Sequence, residues 1–201
     1  MQSAITDISQ LDPEAQYSYA DYLTWQFEQT VELIKGKIFQ MSPAPNVKHQ
    51  KISSKLHICI GTYLQEKSCN LFAAPFDVRL LDKRKSSQAN QDIYTVVQPD
   101  LSVICNAAQL DEQGCIGAPD LVVEILSPGN SKKEMRIKYA LYEEAGVREY
   151  WVVFPSVRAL VQFVLNEEEK FVFKSAFAED EVFQAHIFPD LAIDLEEIFG
   201  E

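Results

Sequence analysis

Apolar and polar residues alternate at two different spacings along this chain. Between residues 48 and 66 the apolar positions recur at helical spacing on one stripe, which holds His49, Ile52, Leu56, Cys59, Ile60 and Tyr63. A second helix is predicted over Lys132–Ala145, because Ser131 and Glu134 form a capping box before it and Gly146 suits its C-terminal cap. Shorter helical segments are expected at 17–26, where Ser18 could be the cap, and at 191–199.

Strand patterns fill most of the remaining chain. Residues 121–126 are a nearly continuous apolar run, typical of a strand that is buried on both faces. Further strands are predicted at 71–81, 96–105 and 149–154, with two more between 159 and 177 that turn around 166–170. Residues 31–41 predict a hairpin, and 82–91 and 109–117 predict loops. This order predicts an α/β core with a mixed β-sheet flanked by helices, an added N-terminal hairpin and C-terminal strands.

Length and cysteine usage place this fold in a broad class of proteins. A chain of 201 residues suggests one domain over 1–201, in which we expect residues 1–16 to be flexible. No apolar run approaches the roughly 18 residues of a membrane span, and the start does not resemble a signal peptide. The four cysteines are too few and too scattered for a disulfide framework. We therefore expect a cytoplasmic protein with reduced thiols.

The net charge restricts the choice of partners. Thirty acidic and 18 basic residues give a formal charge of −12, whereas proteins that bind nucleic acids usually present a basic surface. If this chain does bind a nucleic acid, most of its acidic residues must lie away from the binding face.

Glu124 is the only charged residue within the buried strand predicted at 121–126. A lone carboxylate in such a strand costs several kcal/mol unless it is paired or binds a metal. Two explanations remain open at this point. Glu124 is either part of a structural ion pair or an exposed strand end, or it is a metal ligand.

Asp100 follows Pro99 in the strand predicted at 96–105. Proline occurs at strand starts and edges because it cannot donate to the ladder, so Asp100 lies where the strand enters the sheet. Alone, a Pro-Asp pair usually indicates a turn. If the strands of Asp100 and Glu124 are neighbours, however, the Cβ atoms of these residues can lie about 5 Å apart. Two such carboxylates repel one another unless a cation lies between them, and hard oxygen ligands suit Mg²⁺.

Lys138 falls in the middle of the apolar face of the second helix, among Met135, Leu141, Tyr142 and Ala145. A lysine in such a place usually pairs with an acid or extends its ammonium to water. Because the helix directly follows the Glu124 strand, Lys138 could instead reach the carboxylates and orient the attacking water or stabilise charge on a phosphate.

Several blocks of the chain resemble one known superfamily. They are ELIKGKI at 32–38, MSPAP at 41–45, PDLSV at 99–103, PDLVVEILSP at 119–128 and GVREYWVV at 146–153. Together with His49, Lys138 and Tyr142, they are similar to the PD-(D/E)XK nucleases. Within that superfamily they resemble a large bacterial family of restriction-endonuclease-like proteins. The resemblance covers residues 18–199 and is most specific at 119–153.

The resemblance implies that Asp100 and Glu124 bind Mg²⁺, with Mn²⁺ as a substitute, and that Lys138 is the catalytic lysine. The lysine that the superfamily places two residues after the glutamate is Leu126 here, which implies that its role has moved to the following helix.

Other residues have weaker candidate roles. Glu32 matches a family position and is either a supporting residue or a surface acid of the hairpin. Asp77 is either a supporting residue or the ion-pair partner of Arg79 or Lys83. His49 is predicted to be a core histidine with its hydrogen bonds satisfied. Phosphate contacts are expected from the basic residues Lys132, Lys133 and Arg136, or from Lys83, Arg84 and Lys85.

Two functions follow as hypotheses. The first is a Mg²⁺-dependent endonuclease that hydrolyses phosphodiester bonds in DNA and acts as a homodimer, since cutting both strands of a duplex often uses paired sites. The second is a binding or regulatory module that keeps the nuclease fold without catalysis, favoured by the acidic charge and by Leu126. Motifs of other enzyme classes, such as G-x-S-x-G, H-E-x-x-H or a P-loop, do not occur.

Overall fold

Four α-helices occur in the computed structural model, which describes residues 4–40, 46–82, 88–128 and 132–200. They are α1 (Tyr19–Tyr22), α2 (Val47–Leu64), α3 (Lys132–Ala145) and α4 (Leu195–Phe199). The side chain of Asn46 caps α2 by accepting a hydrogen bond from the backbone N–H of His49. Gly146 ends α3 with a φ of 93°, which a residue with a side chain rarely adopts. Ser131, the predicted cap of α3, lies outside the described residues.

The main sheet has six strands in the order β12-β11-β10-β9-β6-β3. Its members are β3 (Asn70–Ala73), β6 (Leu101–Ile104), β9 (Leu121–Ile125), β10 (Glu149–Phe154), β11 (Ala159–Leu165) and β12 (Phe171–Ala178). Strands β9 and β10 are parallel and are joined through α3, whereas every other neighbouring pair in this sheet is antiparallel. The predicted α/β fold with a mixed sheet and helices is therefore confirmed.

A second six-stranded sheet has the order β2-β1-β5-β4-β8-β7. It contains β1 (Val31–Ile34), β2 (Lys37–Gln40), β4 (Val78–Arg79), β5 (Val96–Val97), β7 (Leu110–Asp111) and β8 (Gly114–Ile116). The predicted N-terminal hairpin is β1–β2, and its turn residues Lys35 and Gly36 have φ angles of 50° and 80°. A short pair, β13 (Val182–Gln184) and β14 (Ala192–Asp194), lies near the C-terminus.

Four predicted segments differ from the structure. The single strands expected at 71–81 and 96–105 are each two strands that belong to different sheets. Each break contains a proline, Pro75 or Pro99, which has no N–H to donate to a ladder. The loop expected at 109–117 contains the hairpin β7–β8, and the helix expected at 191–199 is shortened by β14.

The two long helices cover opposite faces of the main sheet. On one face α2 contributes Ile52 and Leu56 to a core that includes Val123 and Trp151. On the other face α3 contributes Leu141 and Tyr142 to a core with Val122, Tyr150 and Val152. Since neighbouring residues of a strand point to opposite faces, Glu124 projects to the same side as Val122, toward α3. Within the described ranges no helix is long and apolar enough to cross a membrane.

A disulfide joins Cys69 to Cys105. The prediction that all four cysteines are reduced is wrong for this pair. The antiparallel register of β3 and β6 places Asn70 opposite Ile104, so the cysteines that flank this pair also lie opposite one another. This proximity follows from strand pairing and has no signature in the cysteine spacing. Cys59 and Cys115 are free thiols.

Candidate functional site

Asp100 and Glu124 lie next to each other at the edge where β6 and β9 pair. Leu101 is opposite Val123 in this antiparallel register, and its continuation by one residue brings Asp100 beside Glu124. The backbone N–H of Ile125 donates a hydrogen bond of 2.7 Å to Oδ2 of Asp100. The structure thus brings together the two carboxylates that the sequence predicted as partners on adjacent strands.

Lys138 joins this centre from α3. Its Nζ lies 2.9 Å from Oε1 of Glu124 and 2.9 Å from Oε1 of Glu32. The side chains of Lys138, Glu124 and Glu32 are only 8%, 12% and 5% exposed. Both alternatives for Lys138 are therefore met by the same contacts, since it pairs with acids and also reaches the carboxylate centre. The alternative that Glu32 is a surface acid is wrong, because β1 places its side chain inside the protein.

Tyr142, which carries part of the family resemblance but had no predicted role, is also a member of this site. Its hydroxyl donates a hydrogen bond of 2.6 Å to Oε1 of Glu124. The spacing of four residues from Lys138 was the available signal, since residues at i and i+4 share one face of a helix. The hydrogen bonds from Lys138 and Tyr142 both end on Oε1, and no side chain within the described ranges donates one to Oε2, so this oxygen can still accept a ligand.

The charges in this cluster shift one another's proton affinity. Burial raises the pKa of Glu124, the charge of Lys138 lowers it, and Asp100 and Glu32 raise it again, with a net pKa of about 7. Burial lowers the pKa of Lys138, but the charges of Glu124 and Glu32 outweigh it and hold that pKa well above its usual range. Lys138 is therefore cationic at neutral pH. A further cation beside Glu124 would favour its ionised form.

His49 contacts the other carboxylate. It lies in the first turn of α2, and its Nε2 is 3.2 Å from Oδ1 of Asp100. Burial lowers the pKa of His49, but the hydrogen bond and the charge of Asp100 outweigh it and raise the pKa above its usual value. His49 is buried as predicted, but it is not fully satisfied, because its buried Nδ1 has no hydrogen-bond partner among the described residues. Both oxygens of Asp100 are thus held, one by His49 and one by Ile125.

Asp77 is connected to the site through one intermediate residue, Gln98. Its carboxylate accepts hydrogen bonds from the hydroxyl of Tyr19 at 3.0 Å and from the side-chain amide of Gln98 at 2.8 Å. The backbone N–H of Gln98 donates to Oε1 of Glu32 at 2.9 Å, so Gln98 connects Asp77 to the cluster. Arg79, one of the two ion-pair partners considered for Asp77, pairs with Asp111 instead. Lys83, the other, lies outside the described residues.

The predicted phosphate-binding residues occupy the beginning of α3. Lys132, Lys133 and Arg136 are all exposed, in contrast to the buried Lys138. Lys133 and Glu32 line a common cavity of about 140 Å³ between α3 and the β1–β2 hairpin. Lys133 is the one of these basic residues that lines the cavity, and Glu32 is the residue of the cluster that does. Lys83, Arg84 and Lys85 lie outside the described residues.

The donor set bears on which metal could bind here. Across the described parts of the chain, no three His, Cys, Asp or Glu side chains converge in a way that could hold an ion. Zinc sites use three or four such ligands, whereas Mg²⁺ keeps several waters and is commonly held by one or two carboxylates. The pair of Asp100 and Glu124, with Oε2 of Glu124 available, therefore fits a hydrated Mg²⁺ ion.

Comparisons with known proteins agree with this architecture. A curated relative, "Uncharacterized protein slr1290" from Synechocystis sp. (strain ATCC 27184 / PCC 6803 / Kazusa), is 27% identical over 132 residues, which are 65% of this chain. The match spans 64% of that relative's length. A solved structure, described as a "putative nuclease belonging to DUF820" from Anabaena variabilis ATCC 29413, matches with a TM-score of 0.69 at 21% identity. That match covers 91% of this chain and 97% of the solved chain, and it shows a shared fold.

The sequence profile of one family matches most of the chain. It is described as "Uma2: Putative restriction endonuclease" and covers residues 19–196. This range agrees with the extent of the resemblance found in the sequence and includes each residue of the carboxylate cluster. The chain therefore belongs to the Uma2 family, within the restriction-endonuclease-like superfamily that its sequence resembles.

Proposed function

We propose that this protein is a Mg²⁺-dependent endonuclease that hydrolyses phosphodiester bonds in DNA. The observation that carries this proposal is the buried cluster in which Lys138 contacts Glu124 while Asp100 lies alongside. Burying several charged groups together is costly, and perturbed titratable groups of this kind concentrate at functional sites. Membership of the Uma2 family supports the same conclusion.

In this proposal Asp100 and Glu124 hold the Mg²⁺ ion. When bound, it supplies a Lewis acid for the phosphate and lowers the pKa of a water molecule. His49 and the backbone N–H of Ile125 fix the orientation of the Asp100 carboxylate. Metal ligands are commonly held by such outer contacts, which keep their lone pairs directed at the ion.

Lys138 contributes charge rather than a base. Because its pKa lies well above the usual range, its ammonium keeps its proton at neutral pH and cannot accept one from water. It is therefore suited to stabilise negative charge that develops on the phosphate, and to orient a water by hydrogen bonding. Glu32 supports this role by fixing the ammonium from the opposite side.

Substrate binding and assembly complete the proposal. Lys132, Lys133 and Arg136 lie at the exposed start of α3 and would contact phosphates next to the scissile bond. A cut through both strands of a duplex often uses paired sites, so we propose that the protein acts as a homodimer.

Plasmid cleavage tests this function. Purified wild type should nick supercoiled DNA when Mg²⁺ or Mn²⁺ is present and should lose this activity in EDTA. Asp100→Ala and Glu124→Ala should lower the rate by about 100-fold or more, in line with the loss of a preorganised charge-stabilising group. Glu112→Ala, which removes an exposed acid from the β7–β8 turn, is the matched control and should cleave like wild type. Equal rates in all four proteins would exclude this site as the source of the activity.

A binding or regulatory module without catalysis is the second candidate. It is favoured by the position of Lys138, whose ammonium already compensates Glu124 and Glu32, and by the absence of a three-ligand cluster from the described residues. Calorimetric titration with Mn²⁺ separates the two functions. No heat of binding at millimolar metal would favour the module, whereas binding that is lost in Asp100→Ala would favour the nuclease.

A further inference from the structure

Ion pairs occupy many of the basic residues that the structure describes. Five pairs lie outside the candidate site, namely Lys35–Glu144, Arg79–Asp111, Arg148–Asp120, Arg158–Glu179 and Lys170–Glu143. By contrast, Lys48 and Lys51 on α2 are exposed and form no ion pair within the described ranges. The same holds for the three basic residues at the start of α3. Uncompensated positive charge is thus found at the beginnings of the two long helices.

Both long helices contact the carboxylate centre, α2 from its first turn and α3 from its middle. Helix α2 reaches Asp100 through His49, which is flanked in the sequence by Lys48 and Lys51. Helix α3 reaches Glu124 through Lys138. Because α2 and α3 cover opposite faces of the main sheet, they approach Asp100 and Glu124 from different sides, and Lys133 at the start of α3 lines a cavity with Glu32.

The spacing along α2 places its lysines on one side of the helix. Lys48, Lys51 and Lys55 follow one another at intervals of three and four residues, which is one stripe of a helix. The ammonium of Lys55 already has a partner, since its Nζ donates a hydrogen bond of 2.7 Å to the backbone carbonyl of Gly200. Lys48 and Lys51, closer to the site, are left to contact a ligand.

The C-terminal segment carries most of the net negative charge of the chain. Residues 167–201 contain eleven acidic residues and two lysines, a net charge of −9 out of the −12 of the whole chain. Part of this segment is β12, the outer strand of the main sheet, which is three strands and so about 14 Å from β9. Another part is α4, where the charge of Glu197 adds to burial in raising the pKa of Cys59 in the second half of α2. The net charge of the whole chain therefore does not indicate the charge of the surface around Asp100 and Glu124.

We infer that Lys48 and Lys51 bind the phosphate backbone of duplex DNA, opposite the basic residues of α3, so that the duplex lies across the carboxylate edge between the two helices. This inference rests on the proposed function, since it takes the carboxylate centre as the point of cleavage. Lysines in such positions act as point charges that replace condensed counterions, so their contribution is independent of DNA sequence and depends strongly on salt.

The test is binding of a fluorescently labelled DNA duplex, measured by anisotropy in EDTA so that no cleavage occurs. The double variant Lys48→Gln/Lys51→Gln is compared with wild type from about 50 to about 200 mM salt. Because two phosphate contacts are lost, the factor by which affinity falls over this salt range should be about tenfold smaller than for wild type. The control Lys67→Gln/Lys174→Gln removes the same charge from two exposed lysines, at the end of α2 and on β12, and should bind like wild type.

Hydrolysis of a small substrate, bis(p-nitrophenyl) phosphate, separates this inference from the proposed function. With Mn²⁺ the α2 double variant should hydrolyse it at the wild-type rate, whereas Glu124→Ala should not hydrolyse it. Equal DNA affinity and salt dependence in the α2 variant and the control variant would overturn the inferred role of Lys48 and Lys51 while leaving the nuclease proposal intact. Absence of hydrolysis by wild type would contradict the nuclease proposal instead. Tighter binding of an RNA duplex of the same length would overturn the assignment to DNA.

Discussion

The Nε2 atom of His49 lies 3.2 Å from Oδ1 of Asp100, although one residue belongs to a helix and the other precedes a strand. This contact holds one oxygen of the carboxylate, and the N–H of Ile125 holds the other. His49 thus acts on the proposed metal site through Asp100, as a positioning residue.

Replacing His49 by alanine should weaken Mn²⁺ binding by about 10- to 100-fold, the usual cost of losing a partner of a metal ligand. The physical reason is that Asp100 would be held by the N–H of Ile125 alone and could rotate more easily away from the ion. Calorimetric titration measures the effect, and His49→Gln, whose amide can donate a similar hydrogen bond, should recover part of it. His57→Ala is the control, since His57 is exposed on the same helix. Equal Mn²⁺ affinity in His49→Ala and wild type would show that this contact does not position Asp100.

Lys138 should be essential for the stability of the metal-free protein. In Lys138→Met, the buried carboxylates of Glu32 and Glu124 lose their shared cation, and breaking such a buried pair costs about 3–5 kcal/mol. Urea unfolding at pH 8 in EDTA measures the free energy of unfolding. Saturating Mn²⁺ should restore part of the loss by returning a positive charge to Glu124.

The control for this experiment is Lys132→Met, because Lys132 is exposed on the same helix and its loss should change the stability by no more than about 0.5 kcal/mol. If Lys138→Met were as stable as Lys132→Met, the ion pairs of Lys138 would not hold the cluster together.

The pKa of Glu124 predicts how stability depends on pH without metal. Its carboxyl has a pKa of about 7 in the folded protein against 4.5 in the unfolded chain. The folded state therefore keeps a proton that the unfolded state has lost, and the stability from that proton is complete below about pH 4.5 and lost as the pH rises through 7. The free energy of unfolding should fall by about 3 kcal/mol between these limits.

Urea unfolding in EDTA at a series of pH values tests this dependence. The side chain at this position cannot ionise in Glu124→Gln, so the free energy of unfolding of this variant should lack this part of the dependence on pH. The variant should exceed wild type in stability most clearly above pH 7. His49, whose pKa is also raised, contributes to the slope in the same direction but is present in both proteins. Parallel pH profiles for wild type and Glu124→Gln would show that Glu124 does not titrate in this range.

Thiol counting tests the pairing of Cys69 with Cys105. Protein purified without reductant and unfolded in guanidinium should show two reactive thiols, from Cys59 and Cys115, and four after reduction. The variant Cys59→Ser/Cys115→Ser should show none before reduction and two afterwards. Four thiols in unreduced wild type would contradict the disulfide and restore the expectation of reduced cysteines.

The elements predicted with the right type are those with strong local signals. Helices α2 and α3 and strand β9 carry clear periodicity or a continuous apolar run, and the β1–β2 turn contains a glycine that favours positive φ. The errors arose where a continuous strand-like pattern crosses Pro75 or Pro99 and the chain passes from one sheet to the other. A hydrophobic pattern reports that a segment is buried but does not report which sheet it joins.

The sequence by itself determined the chemical groups of the candidate site. A single carboxylate in an apolar strand and a lysine on an apolar helix face are local anomalies, because each places a charge where burial is expensive, and the Pro-Asp pair gains its meaning beside them and from the family resemblance. Such anomalies can be recognised without coordinates. Together with the family resemblance, they were sufficient to identify Asp100, Glu124 and Lys138 as candidates before any distance was known.

Only the tertiary structure decided how these groups are connected. The contacts of His49 with Asp100, of Glu32 with Lys138 and of Cys69 with Cys105 join segments that are distant in the chain. Each depends on sheet register or on the packing of a helix against a sheet, and local spacing does not contain that information. The sequence shows which residues carry a charge. The cost of burying these charges is offset by neighbours that only the fold brings within hydrogen-bonding distance.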